Sequence, residues 1–403
     1  MRIASEQKEL VRAQIDRGEV VTLLGNTVLD SISNDQIFNP AITSQEIILE
    51  PMLPQLARRL EQTPTLGIHE VKGSEGLFNV TVLDNGGVKY LFGRKVQEAA
   101  EQGQPDFGSL VMAELGPDNN IISMDEVWNP KGQDILIEDP RAHQTIDGKT
   151  IIGVTAVRQS EENKTYPAFI KLDSPDRLLT HPFPKLHIIE KFGNGSQATP
   201  LGETTKGKNA TTVDATHIMY RPDGLNHALQ VFEYINNDAN HVGFIDFPKD
   251  IPGATYKIGT TTPPEWINDH EAFFIFHGID KTIDGKVVDP DTIDDRVIYH
   301  YSIHTARLLK SINDQGETLF SVDNISRAPI ITPDSFPRLN DSRQIELHPE
   351  IRRVTYSCGG TAIKNPEGQL IQEKLFVNQG DKRTWVVIID AVAIISSWDR
   401  RLK

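Results

Sequence analysis

The chain has 403 residues, and its 41 Lys and Arg against 56 Asp and Glu give a formal charge of −15. That balance excludes the electrostatic footprint of sequence-independent nucleic-acid binding, and no polybasic run is present to hold the chain on an anionic membrane. The single cysteine, Cys358, excludes an intrachain disulfide, and no run approaches the ~18 apolar residues of a membrane span.

Met1-Arg2-Ile3-Ala4-Ser5-Glu6 lacks the apolar core of a signal peptide, so a reducing, cytoplasmic setting is expected. Residues 6–17 carry Leu10, Val11 and Ile15 near one helical face, and 54–62 follow Leu53 with Leu56 and Leu60 at helical spacing before Thr63-Pro64 stops the run. Residues 1–65 are therefore expected to form a helical extension, a candidate surface for a homo-oligomer.

From residue 66 the grammar changes. Short runs rich in Val, Ile, Tyr, Phe and Thr predict strands over 78–83, 88–92, 150–157, 168–172, 217–220, 228–234, 272–277, 296–302, 353–356 and 385–389. Asp84-Asn85-Gly86-Gly87, Asp147-Gly148, Pro222-Asp223-Gly224, Asp284-Gly285 and Pro366-Glu367-Gly368 supply turns between them. Thr355-Tyr356-Ser357-Cys358-Gly359-Gly360 predicts a buried strand running into a turn, with Cys358 a small buried hydrophobe.

A sandwich, a barrel and a propeller all suit an all-β chain of this kind. Units of roughly 50–65 residues, the length of a four-stranded blade, favour the propeller. The expectation is an all-β, five-bladed β-propeller over 66–398, with blades near 70–130, 131–200, 201–260, 261–345 and 346–398. The apolar segment 391–398 is expected to close the ring or pack beneath it.

In a propeller the innermost strands line a central funnel, so polar residues on them converge. Glu138-Asp139-Pro140-Arg141 stands out: an acidic pair fixed by a proline at the start of a strand. Glycosidic bond chemistry needs carboxylates held rigidly beside the sugar. A turn with ordinary polar residues explains the same four residues, so the accompanying clusters carry the argument. They are Gly76-Leu77-Phe78-Asn79, Tyr90-Leu91-Phe92-Gly93-Arg94, Lys208-Asn209, Lys257-Ile258-Gly259, Pro263-Pro264, His277-Gly278, Cys358-Gly359-Gly360 and Gly380-Asp381.

That ordered set, from residue 74 to about 395, resembles glycoside hydrolase family 130, the mannoside phosphorylases, built as five-bladed propellers. The chain departs from the family pattern at Asn79-Val80, at Thr260-Thr261-Thr262 and at Phe376-Val377-Asn378-Gln379-Gly380. The first 65 residues have no counterpart in it.

The resemblance implies that Asp139 is the general acid, passing its proton to the departing oxygen through a sugar hydroxyl. Inorganic phosphate, a co-substrate rather than a cofactor, would attack the anomeric carbon, held by Arg94, Lys208, Arg141 and Asn79. Cations of this kind make charge-assisted bonds to phosphate oxygens. Glu138, Asn209, His277 and Asp381 would contact a β-mannoside oligosaccharide. A hydrolase would need a second carboxylate to activate water, so an inverting β-mannosidase is the alternative, and a non-catalytic carbohydrate-binding propeller is a third reading.

No metal or organic cofactor is expected. His300 and His304 share one strand face without a third ligand, and 289–295 lacks the glycine and terminal glutamate of a calcium loop. Gly193-Asn194-Gly195 has no βαβ context for a dinucleotide. Tyr220 and Trp266 are candidates for sugar stacking, with core packing the competing role.

Overall fold

The computed structural model describes residues 22–23, 27–28, 65–96, 108–144, 149–180, 182–190, 205–235, 238–336, 354–380 and 383–398. Both expected N-terminal helices lie outside these residues. The described part of 1–64 is a pair of short antiparallel strands, β1 (Thr22–Leu23) and β2 (Thr27–Val28). Chain contacts define two compact units. One comprises 1–67, 363–373 and 388–403; the other comprises 68–362 and 374–387 and contains every residue of the candidate site.

Five antiparallel sheets make the five-bladed propeller. After β3 (Thr65–Glu70), blade one runs through β4 (Leu77–Asn85), β5 (Val88–Val96), β6 (Gly108–Leu115) and β7 (Ile121–Trp128) in that order. Blade two is β8 (Ile135–Gln144), β9 (Thr150–Arg158), β10 (Lys164–Leu172) and β11 (Leu186–Ile188). Blade three is β12 (Gly207–Thr212), β13 (His217–Pro222), β14 (Ala228–Ile235) and β15 (Asp238–Asp246).

Blade four joins β16 (Lys257–Thr260), with the short β17 (Glu265–Trp266), to β18 (Glu271–Ile283), which also pairs β19 (Lys286–Val287) and is followed by β20 (Ile298–Ile312) and β21 (Thr318–Asp323). Blade five is β22 (Thr355–Lys364), β23 (Leu370–Gln379) and β24 (Arg383–Asp390), with β3 as its fourth strand. The sheet order thus ties the start of the propeller to its end. The segment expected to close the ring or pack beneath it is a helix, α1 (Ala391–Trp398), whose Ala393 N–H is capped by Asp390 Oδ1 at 2.9 Å.

Two sequence expectations shift here. The boundary expected near 260 moves to before Lys257: β16 belongs to blade four, because Lys257 to Thr260 pair with Ile279 to Phe276 of β18. Cys358-Gly359-Gly360 is not a turn, since β22 runs on through it. Gly359 serves close approach: a Cβ there would stand 2.4 Å from Thr81 Cα and 2.9 Å from Val82 N in β4, so blade five meets blade one backbone to backbone.

The cores lie between neighbouring sheets. Leu83, Phe92 and Met112 of blade one pack with Ile152, Val154 and Ile170 of blade two. Phe169 packs with Tyr220, Phe232 and Tyr234 at the next junction, and Met219, Leu229 and Val231 pack with Phe274, Phe276 and Leu308 at the one after. This explains the unbroken apolar run Ala272-Phe273-Phe274-Ile275-Phe276: a strand inside a propeller blade is covered on both faces, so it loses the alternation of a half-exposed strand. Each such Phe withdrawn from water contributes about 2–3 kcal/mol.

Candidate active site

All five inner strands, β4, β8, β12, β16 and β22, send a residue to one cluster. Three of them carry the same irregularity. Pairing skips from Phe78 to Thr81 in β4, from Glu138 to Arg141 in β8 and from Lys208 to Thr211 in β12, while each partner strand advances two residues. Each is a bulge with one extra residue. In each bulge one side chain stands in the left-handed region: Asn79 at φ 50°, Asp139 at φ 53° and Asn209 at φ 63°. Asn and Asp tolerate that region at least cost among residues with a Cβ. The bulges turn these three side chains out of the alternating pattern and toward one another.

Asp139 is the centre. Asn79 Nδ2 donates to its Oδ1 at 2.6 Å, and the hydroxyl of Tyr356 lies 2.9 Å from its Oδ2. The Asp139 carbonyl accepts from Arg141 Nη1 at 2.6 Å, which fixes the left-handed turn from inside. Asn79 is fixed in turn by its own N–H, which donates to Asn378 Oδ1 at 2.8 Å. Asp139 retains 9% exposure, so the residue is not fully sealed from solvent.

The groups behind Asp139 are buried. Arg141, expected to face phosphate, is fully buried; its guanidinium donates to Thr260 O at 3.1 Å, to the Asp139 carbonyl and to the Tyr356 hydroxyl. His277 and Asn209, expected to touch sugar, are 1% and 3% exposed. His277 uses both ring nitrogens, Nδ1 toward Thr260 O at 3.2 Å and Nε2 toward Asn209 Nδ2 at 3.3 Å. Burial first, then repulsion from Arg221 and Arg141, holds the His277 imidazole well below its ordinary value, so it is neutral. Burial pushes the Tyr356 hydroxyl well above its ordinary value, with Arg141 opposing and Asp139 adding to the effect; it stays a phenol. Cys358 is fully buried and raised by burial, which rules it out as a thiolate nucleophile.

Glu138, the chain neighbour of Asp139, belongs to a more open charged group. Glu138 Oε1 lies 3.6 Å from Arg94 Nη1 and Oε2 lies 3.4 Å from Lys208 Nζ. Arg94 lies over Phe78, its guanidinium carbon 4.6 Å from the ring centre. Exposure of the side chains rises from Arg94 at 11% through Glu138 at 20% to Lys208 at 39%. Two cations from two blades thus flank one carboxylate next to the candidate acid. Asp381 lies outside the described residues.

Tyr356 is the residue that sequence reasoning passed over. The signal was its place on the fifth inner strand, just before glycines that let blades close together. Tyr220 and Trp266 are packing residues: the Tyr220 hydroxyl donates to Gln230 Oε1 at 2.6 Å, and Trp266 Nε1 donates to Val213 O at 2.7 Å. His304 hydrogen-bonds Ser302 Oγ at 3.0 Å, and the described residues include no group of three metal-ligating side chains.

No protein-family profile matches the sequence, and no curated protein matches it. Solved structures do. A β-1,2-mannobiose phosphorylase from Listeria innocua, solved with β-1,2-mannobiose, superposes with a TM-score of 0.52 at 12% identity, over 83% of this chain and 93% of that one. A glycosyl hydrolase from Bacteroides ovatus gives 0.53 at 12% identity, over 80% and 91%. A structure from work describing the GH130 family of mannoside phosphorylases as containing hydrolases that target β-1,2 mannosidic linkages in Candida mannan gives 0.54 at 11% identity, over 81% and 94%. At these identities the likeness is one of fold: the propeller is the one these carbohydrate-active enzymes use.

Proposed function

We propose that the chain is a glycoside phosphorylase that cleaves β-mannosides with inorganic phosphate. The observation that carries the reading is the juxtaposition of one carboxyl group, Asp139, gripped on both oxygens, with a cation pair from the blades on either side that flanks the adjacent Glu138. Asp139 gives its proton to the departing glycosidic oxygen, through a hydroxyl of the sugar. Phosphate attacks C1 from the opposite face, the C1–O bond breaks with inversion, and α-mannose 1-phosphate leaves with the shortened sugar.

In this reading Arg94 and Lys208 hold the phosphate, with Asn79 beside them, and Glu138 balances their charge. Arg141, Asn209 and His277 are assigned to support of Asp139 rather than to contact with substrate, because their polar atoms are engaged and buried. A water-using enzyme needs a second carboxylate free to act as base. Glu138, the other carboxylate in the cluster, sits between two cations and next to Asp139 in the chain, which favours phosphate.

The test is product formation from a panel of β-linked mannobioses, with and without phosphate, comparing wild type with Asp139→Asn. Mannose 1-phosphate formed by wild type and lost in the variant supports the proposal. Free mannose without phosphate makes the enzyme a hydrolase, and no turnover on any linkage removes the mannoside reading.

A further inference from the structure

The hydrogen bonds behind Asp139 close on themselves. From Asp139 Oδ2 they pass to the Tyr356 hydroxyl, to Asn209 Oδ1 at 3.2 Å, from Asn209 Nδ2 to His277 Nε2, from His277 Nδ1 to Thr260 O, and back through Arg141 to Tyr356 and the Asp139 carbonyl. The directions around this ring are set by two groups that cannot reverse. Arg141 only donates, so it makes the phenol oxygen an acceptor. Thr260 O only accepts, so the neutral His277 carries its hydrogen on Nδ1 and offers a lone pair at Nε2. Asn209 must therefore turn its amide hydrogens to His277 and its oxygen to Tyr356.

The phenol then has one hydrogen and two acceptors within reach, Asp139 Oδ2 and Asn209 Oδ1. When Asp139 is a carboxylate, the phenol donates to Oδ2. When Asp139 carries its proton, the phenol hydrogen swings to Asn209 Oδ1 and the phenol oxygen accepts from the acid. No bond within Tyr356 breaks, and Asp139 Oδ2 keeps a matched partner in either state, while Asn209 Oδ1 takes the phenol hydrogen only when Asp139 is protonated. A general acid must pass through both states in each turnover, and a buried carboxyl oxygen left unmatched in one of them would carry a desolvation penalty into the reaction.

We infer that Tyr356 is a positioning residue for Asp139, a hydroxyl rotor that matches the acid in its protonated and its ionised form, with Asn209 and His277 holding the second acceptor in place. The inference rests on Asp139 being the glycosidic acid. It places Tyr356 outside contact with sugar and phosphate, and it makes the loss on mutation depend on how much the leaving group needs a proton.

The experiment compares wild type and Tyr356→Phe, with phosphate, on a β-mannobiose and on dinitrophenyl β-mannoside, whose phenolate leaves unaided. On mannobiose kcat falls about 100-fold with KM within about threefold, and on the activated substrate the loss is under about fivefold. An equal loss on both substrates, or none on either, overturns the inference. If Tyr356→Phe does not fold, Asn209→Asp keeps a residue tolerant of positive φ and draws the phenol hydrogen from Asp139; the same substrate-dependent loss is expected.

A second measurement needs no turnover. In protein labelled with carbon-13 at Asp carboxyls, the Asp139 resonance moves in Tyr356→Phe and stays in place in Tyr220→Phe, which alters a buried tyrosine elsewhere. An unmoved Asp139 resonance overturns the inference. Failure of wild type on both substrates, with a moved resonance, instead retires the phosphorylase reading and leaves the Tyr356–Asp139 coupling standing.

Discussion

Asn79 and Asp139 meet side chain to side chain from different blades, at 2.6 Å, each from inside a one-residue bulge and each with positive φ. The backbone demand and the chemical demand on Asn79 are separable. Asn79→Ala loses the donor to Asp139 and places a less tolerant residue in the left-handed region, at a backbone cost of about 1 kcal/mol. Asn79→Gly loses the same donor but relaxes the backbone. Both variants are expected to lose activity by a similar factor, about tenfold or more, because a hydrogen bond to a charged group is worth about 1.5–3 kcal/mol. Only the alanine variant should lose the additional backbone stability in denaturant titration. Equal stability of the two would mean that φ at Asn79 is not a strained feature.

Glu138 is expected to oppose phosphate. Its carboxylate lies 3.6 Å from Arg94 and 3.4 Å from Lys208, distances that leave both cations room to bind a better anion. Glu138→Gln removes one negative charge from the approach. Screening at a partly exposed site keeps the effect near ~1 kcal/mol, or about fivefold, as a lower phosphate KM. Lys208→Gln and Arg94→Gln should move the phosphate KM the other way. A phosphate KM that rises in Glu138→Gln would show that the carboxylate orients the cations rather than competing for them.

The hairpin grammar made the all-β propeller legible, because turns and β-branched runs are local signals. Asp139, Arg94 and Lys208 stood out as charged residues in the ordered clusters, and the structure brings Arg94 and Lys208 to Glu138, the chain neighbour of Asp139. Burial was not legible. Arg141 and His277 carry the residue types of a binding site, and nothing local in the sequence distinguishes a ligand-facing arginine from one saturated by Thr260, Asp139 and Tyr356. The repeat between blades was present but short. Phe78-Asn79-Val80-Thr81, Glu138-Asp139-Pro140-Arg141 and Lys208-Asn209-Ala210-Thr211 share only an Asn or Asp in the second place, which is what the bulge requires. Tyr356 was hidden because its contact with Asp139 spans 217 positions.

Gly259 tests whether the support of the site tolerates volume. A Cβ there would stand 2.4 Å from Asn209 Nδ2 and 2.5 Å from both His277 Cε1 and Nε2. Neither side chain is the free end of a flexible group, since Asn209 is held by Tyr356 and His277 by Thr260. Gly259→Ala is expected to cost about 1–3 kcal/mol through overpacking and to lower activity by displacing Asn209. The check is a crystal structure of the variant with its mannobiose kinetics. Unchanged kinetics with Asn209 displaced would detach Asn209 from the action of Asp139.

Acid stability is expected to follow the buried histidines before the carboxylates. Burial lowers His304 to about 4 from an ordinary 6.5. His277 lies well below 6.5, and the half-buried His187, His227 and His241 are lowered in the same sense, all chiefly by burial. Between 6.5 and 4 the unfolded chain therefore binds protons that the folded chain refuses, so folding stability falls as pH falls through that window. Above 6.5 the histidines contribute no slope. For His304 the full loss is about 3 kcal/mol, complete below pH 4. Asp214 acts lower still: the bonds from His217 and Lys310 outweigh its burial and hold its carboxyl below the ordinary 3.8, so its contribution is lost as pH falls beneath that value. Denaturant titrations from pH 7 to pH 4 should show His304→Gln less stable at pH 7 but with a shallower decline than wild type. An unchanged slope would mean that His304 titrates normally in the folded protein, and the loss of stability in that window would then belong to the other histidines.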